Sequence, residues 1–247
     1  MSLQRERTLI LALLLILAAA SWAILIWQAS MMNSMGMGLT MGMGAPLFLA
    51  IWGVMMMAMM FPATAPMNLA FSRVQRERHS GRRPSVSTWI FVGAYLLIWT
   101  LFGVLAYLIA SAAWELAQQL PWLLLNATRI GGSVLIVAGL YQFTPLKRVC
   151  LAKCRTPGDF ISHSWREGYP GSFRIGLEYG IYCLGCNWLL FVLLFPLGIM
   201  NIVAMLLLTA LIFAEKCFSV GAHIARFAAL ALILYGALVI FVPAALT

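Results

Sequence analysis

The chain has 247 residues, 63% of them hydrophobic and 9% charged, with a formal net charge of +9. A water-soluble domain of this length cannot enclose so much apolar surface in one core, which excludes the soluble globular class. The basic excess does not indicate nucleic acid either, because the cations cluster in short segments between long apolar runs, as in the positive-inside pattern of membrane proteins.

The runs are unbroken rather than alternating, and each is near the ~20 residues a helix needs to cross a bilayer. They predict an all-α polytopic membrane protein of about seven transmembrane helices, forming one bundle over residues 1–247. Span one covers about 8–28. Its length, and the lack of a small-x-small site, argue against a cleaved signal. A Met/Gly-rich outer loop, 29–45, follows. Span two covers about 46–70, with Pro62 and Pro66 near its end, and the basic loop RVQRERHSGRRP comes next. Span three is about 88–112, and the segment WELAQQLPWLLLN suits an interfacial position through Trp114 and Trp122. Span four is about 129–145. Residues 146–173 read as a cytoplasmic basic loop with a cysteine pair. Spans five, six and seven are about 174–196, 200–214 and 223–243, with Gly198 marking a tight turn between five and six. Arg5, Arg7, Arg73, Arg76, Arg78, Lys147, Arg148, Lys153, Lys216 and Arg226 fall on one side and Arg129 on the other. The amino terminus is therefore expected in the cytoplasm and the carboxyl terminus outside.

Several residues could carry chemistry. Met35, Met37, Met41 and Met43 lie in "MGMGLTMGMG", where neutral thioethers on a loose backbone suit a soft ion such as Cu(I). A floppy apolar loop explains them equally well. Met56, Met59 and Met60 in span two could pass such an ion inward, or simply pack. Cys150 and Cys154 are four apart, which puts them on one face of a helical turn. The surrounding cations favour the thiolate that binds metal or reacts. Cys183 and Cys186 form Cys-x-x-Cys within span five, close enough to share an ion or to close a strained disulfide. Gly176, Gly180, Cys183 and Asn187 fall nearly on one stripe, and the two glycines would admit a neighbouring helix. Glu178 and Glu215 are ionisable groups near span ends. They could flank a site, or pair with Arg174 and Lys216. The three histidines lack the spacing of a zinc hydrolase, and no P-loop or nucleophile elbow is present.

The motifs "AMMFPATAPM", "GLYQFTPLKRVCLAKCR", "YCLGCNW" and "FAEK", in that order, resemble the bacterial family of predicted metal-binding integral membrane proteins, a domain of unknown function. The resemblance runs from about Trp52 to Gly221. It implies a multi-helix membrane fold in the bacterial inner membrane. It also implies a metal site at Met59, Met60, Pro62, Tyr141, Gln142, Pro145, Lys147, Cys150, Cys154, Cys183, Cys186, Glu215 and Lys216. The family pattern often carries a third cysteine after the Cys-x-x-Cys, where this chain has Asn187.

Together these features predict a membrane-embedded soft-metal binding and transfer or delivery protein with Met and Cys ligands. Its cargo would be copper, as Cu(I). Its partners would be the lipid bilayer, the metal ion, and a membrane complex or metallochaperone; nucleic acid is not among them. Nothing in the sequence supplies an energy source, so binding and transfer are expected rather than enzymatic pumping. Two alternatives stand beside this reading: a membrane thiol–disulfide oxidoreductase, and an accessory subunit of a larger membrane metalloenzyme complex.

Overall fold

A computed structural model describes residues 3–32, 43–78 and 84–242. The described residues form helices and connecting turns, with no strand among them. In chain order the helices are α1 (Leu3–Met32), α2 (Ala45–Arg78), α3 (Pro84–Gln119), α4 (Pro121–Leu125), α5 (Ala127–Tyr141), α6 (Pro145–Arg155), α7 (Pro157–Ser164), α8 (Gly168–Val192), α9 (Leu194–Leu197), α10 (Ile202–Cys217) and α11 (Gly221–Phe241).

Each of the seven expected apolar runs forms a helix. Five helical stretches are long and apolar enough to span a membrane: Arg7–Met31, Ala45–Arg78, Val86–Gln119, Gly168–Leu197 and Gly221–Phe241. The fourth expected span is broken, because α5 and α6 together qualify but meet at a bend of 63°. The sixth, α10, has 16 residues, short of the ~20 that a perpendicular crossing requires. The architecture is compatible with a multi-pass membrane protein.

α2 is the central helix. In its most apolar window 61% of residues are buried, against 28% for α1 and 22% each for α3 and α11. Pro62 and Pro66 lie inside it. A proline there removes a donor from the helical ladder, and Pro62 leaves the Ala58 carbonyl without its usual partner. Trp22 of α1 supplies one, its indole N–H donating to that oxygen at 3.1 Å. Pro62 therefore sits in a continuous helix, and the carbonyl it frees is satisfied by a neighbour.

The outer helices dock through small residues. α8 lies against α3, and a Cβ on Gly176 would stand 2.5 Å from the Phe91 carbonyl oxygen. A Cβ on Gly180 would meet Ile98 at 2.9 Å. The expected Gly176/Gly180 face thus does admit a helix, and that helix is α3. After α9 the chain reverses at Gly198, whose φ of 93° is a conformation L side chains rarely adopt.

Residues 146–173, expected as a cytoplasmic basic loop with a cysteine pair, contain most of α6, all of α7 and the start of α8. Thr144 and Pro145 start α6. The Thr144 hydroxyl accepts from the Lys147 N–H at 3.3 Å, and Pro145 occupies the first turn, a common helix-start pairing. Lys147, Cys150, Leu151 and Cys154 are the buried residues of α6, at i, i+3, i+4 and i+7. That stripe lays the helix onto α8.

Candidate metal-handling site

The site lies where α6, α8 and α10 meet, with α3 behind. Its sulfurs come from two helices. Cys183 and Cys186 are 0% and 1% exposed, and Cys154 is 5% exposed. The Cys154 and Cys186 sulfurs are 3.9 Å apart. Cys150 faces the same helix one turn earlier on α6: a Cβ on Gly185 would come 2.8 Å from its sulfur. Gly185, between the two cysteines of the Cys-x-x-Cys, therefore leaves room for the Cys150 sulfur, which a larger residue would displace. The Tyr141 hydroxyl donates to the Gly185 carbonyl and ties the end of α5 to the same turn. All five cysteines are free thiols.

Polar groups surround the sulfurs. The Lys216 ammonium of α10 reaches the Cys183 sulfur at 2.9 Å, and the Tyr95 hydroxyl of α3 lies 3.2 Å from the same atom. The Asn187 amide donates to the Cys183 carbonyl at 2.8 Å and to the Cys186 sulfur at 3.1 Å. Its own carbonyl oxygen, Oδ1, is buried with no hydrogen-bond partner. Asn187 occupies the place where the resembled family often has a third cysteine, so the side chain there does turn toward the sulfurs.

The second layer is an ion pair. Lys147 Nζ lies 2.8 Å from Glu215 Oε2 and the two side chains are 2% and 0% exposed. Lys147 also donates to the Gln142 side-chain oxygen. Glu215 and Lys216 are adjacent on α10 but face different helices, the carboxylate toward α6 and the ammonium toward α8. Lys147 and Glu215 neutralise each other. Lys216 leaves one positive charge whose close contact is sulfur, where a buried cation ordinarily meets a carboxylate.

The remaining expected residues are placed as follows. Glu178 does not join the cluster; its carboxylate accepts from Arg174 at 3.2 Å, one helical turn away, and the pair is partly solvent-exposed. Met56, Met59 and Met60 are 1%, 0% and 0% exposed, within the hydrophobic core that also holds Cys150, Cys154, Cys183 and Cys186. Met43, 8% exposed, belongs to the same core. Met35, Met37 and Met41 lie outside the described residues. Read by themselves, Lys147 and Lys216 count as loop charges that orient the chain, but the structure buries both. Tyr95 is indicated by neither residue pattern nor resemblance. Its only signal is a hydroxyl in an apolar span, which has to find a partner.

Among the described residues, no group of three or more His, Cys, Asp or Glu side chains is arranged as a ready metal cage. The fit to a soft cation rests on other grounds. The cluster offers thiol donors, which soft ions prefer. One sulfur already carries a cation, the Lys216 ammonium. A buried amide oxygen beside the sulfurs is unpartnered. Hard-ion chemistry lacks support here, since the one buried carboxylate of the cluster is engaged by Lys147.

The fold and site thus describe a helical bundle with a lipid-compatible exterior and a buried, cation-bearing thiol cluster. The PpoB2 family, described as a copper chaperone, matches residues 49–239. The chain belongs to this family, which indicates copper handling. The match covers every residue of the cluster. No curated protein and no solved structure matches the chain.

Proposed function

We propose that this protein holds Cu(I) within the membrane and hands it on. Cys183, Cys186 and Cys154 are the donors, and Cys150 lies beside them on α6. The observation that carries the reading is the convergence of thiols from α6 and α8 at one buried point, in a chain of a copper chaperone family. Cu(I) is a soft ion that needs few donors, so the close Cys154/Cys186 pair is sufficient to receive it. Cys183 joins when the ion takes the place of the Lys216 ammonium, one cation for another. Asn187 then aligns the sulfurs, as outer-shell partners do at metal sites.

The methionines of α2 and of the 29–45 segment serve as weaker collectors of the same ion. The bundle lies in the bacterial inner membrane with the amino terminus in the cytoplasm. Copper is cargo here rather than a resident cofactor, and a metallochaperone or a membrane complex is the recipient.

Elemental analysis of the detergent-purified, reduced protein after copper supplementation tests this reading. Near-stoichiometric copper is expected in the native chain, and its loss in the Cys183→Ser/Cys186→Ser variant. Copper retained by that variant, or absent from the native chain, would overturn the assignment.

A further inference from the structure

We infer that Cys154 and Cys186 form a redox couple that reduces Cu(II), and that closing their disulfide releases the bound cargo. The sequence points to the Cys-x-x-Cys pair as the one that would close. The geometry points across helices instead. Cys183 is restrained by Lys216 at 2.9 Å and by Tyr95 at 3.2 Å. It also shares a continuous helix with Cys186, and joining sulfurs three residues apart would strain that helix. The Cys154 and Cys186 sulfurs already lie 3.9 Å apart. They belong to separate elements, and α6 is joined to α5 through the 63° bend. A small swing of α6 about that bend brings the two sulfurs together without unwinding α8. Cys150 is less well placed, because its sulfur is lodged against Gly185. Access is from the carboxyl end of α6, where Lys153 and Thr156, flanking Cys154, are exposed.

The step balances as a two-electron couple. The two S–H bonds break and one S–S bond forms. Each of two Cu(II) ions takes one electron and becomes Cu(I), and two protons pass to solvent. Two equivalents of a small thiol then restore the pair by exchange, leaving as their own disulfide. In the thiol state Cys154 and Cys186 are available as soft donors. In the disulfide state they are not, so Cu(I) loses two of its three sulfurs. This inference rests on the proposal that copper reaches the cluster.

The test mixes the full-length, reduced protein in detergent with Cu(II) under anaerobic conditions. Cu(I) is read with a chromogenic Cu(I) chelator, and disulfides are mapped by peptide mass spectrometry. Two Cu(I) per disulfide, with the bond joining Cys154 to Cys186, are expected. Cys154→Ser should lose both signals, while Cys217→Ser should keep both. A Cys183–Cys186 bond in the native chain, or an undiminished Cu(I) yield in Cys154→Ser, would overturn the inference. Direct competition for added Cu(I), measured on the same reduced sample, separates the two readings. Protein that holds Cu(I) but forms no Cys154–Cys186 bond overturns this inference alone. Protein that forms the bond and yields Cu(I) without holding it overturns the proposed function and, with it, the release of cargo on disulfide closure.

Discussion

At the scale of single residues, the buried charges dominate the energetics. Lys147 and Glu215 are held 2.8 Å apart and almost wholly enclosed. Removing one partner strands the other charge in a low-dielectric interior, which costs about 3–5 kcal/mol. Lys147→Met and Glu215→Gln should therefore each lower the chemical unfolding midpoint in detergent sharply. The double variant Lys147→Met/Glu215→Met should recover much of the loss, since an apolar pair leaves no stranded charge. If the single variants unfold like the native protein, the pair is not a structural element. The sequence alone made this arrangement hard to read. A lysine two residues after Pro145 and another after Glu215 look like ordinary flanking cations, and only the packing of α6 onto α8 and α10 reveals them as interior groups.

At the scale of the helix pair, α3 and α8 touch backbone to backbone at Gly176. A methyl group there would stand 2.5 Å from the Phe91 carbonyl oxygen, so Gly176→Ala should push the helices apart and cost about 1–3 kcal/mol, the usual range for overpacking. Gly93 is the control, because a Cβ there meets nothing within 4 Å. Gly93→Ala should leave the thermal midpoint unchanged or slightly raised, as alanine favours the helix. Equal effects at the two positions would contradict the close α3–α8 approach. This contact was legible beforehand from the four-residue spacing of Gly176 and Gly180, although the partner helix was not. α6 was only half legible. The Cys150/Cys154 spacing suggested a helical face, but the cations around it marked the segment only as a cytoplasmic basic loop and gave no sign of packing. Thr144-Pro145 and the apolar stripe of Cys150, Leu151 and Cys154 were the signals that favoured a packed helix.

At the scale of the whole molecule, the helices form a bundle centred on α2, with α10 short and the α5–α6 pair broken at its bend. The positions of Arg5, Arg7, Arg73, Arg76 and Arg78 support the proposal that the amino terminus lies in the cytoplasm. An amino-terminal tag should be protected from a protease added outside intact spheroplasts. A carboxyl-terminal tag should be cleaved if seven segments cross. Protection of both termini would mean an even number of crossings, with α6 or α10 entering and leaving by the same face. Of these features, the burial of Lys147 and Lys216 weakens the charge count most, since two of the cations that seemed to set the orientation are spent inside the bundle.

Length, hydropathy and charge spacing were enough to determine that this is a helical protein suited to a bilayer. The helices follow from local chemistry, because an apolar segment in lipid has to satisfy its own backbone hydrogen bonds. The four site cysteines were also visible in the sequence as two short motifs. The tertiary structure decided which sulfurs meet. Cys154 reaches Cys186 because the buried stripe of α6 packs against α8, and Lys216 reaches Cys183 because α10 turns its last residues inward. These are contacts between residues more than thirty positions apart, set by side-chain volume and close packing, and periodicity along one helix carries no record of them.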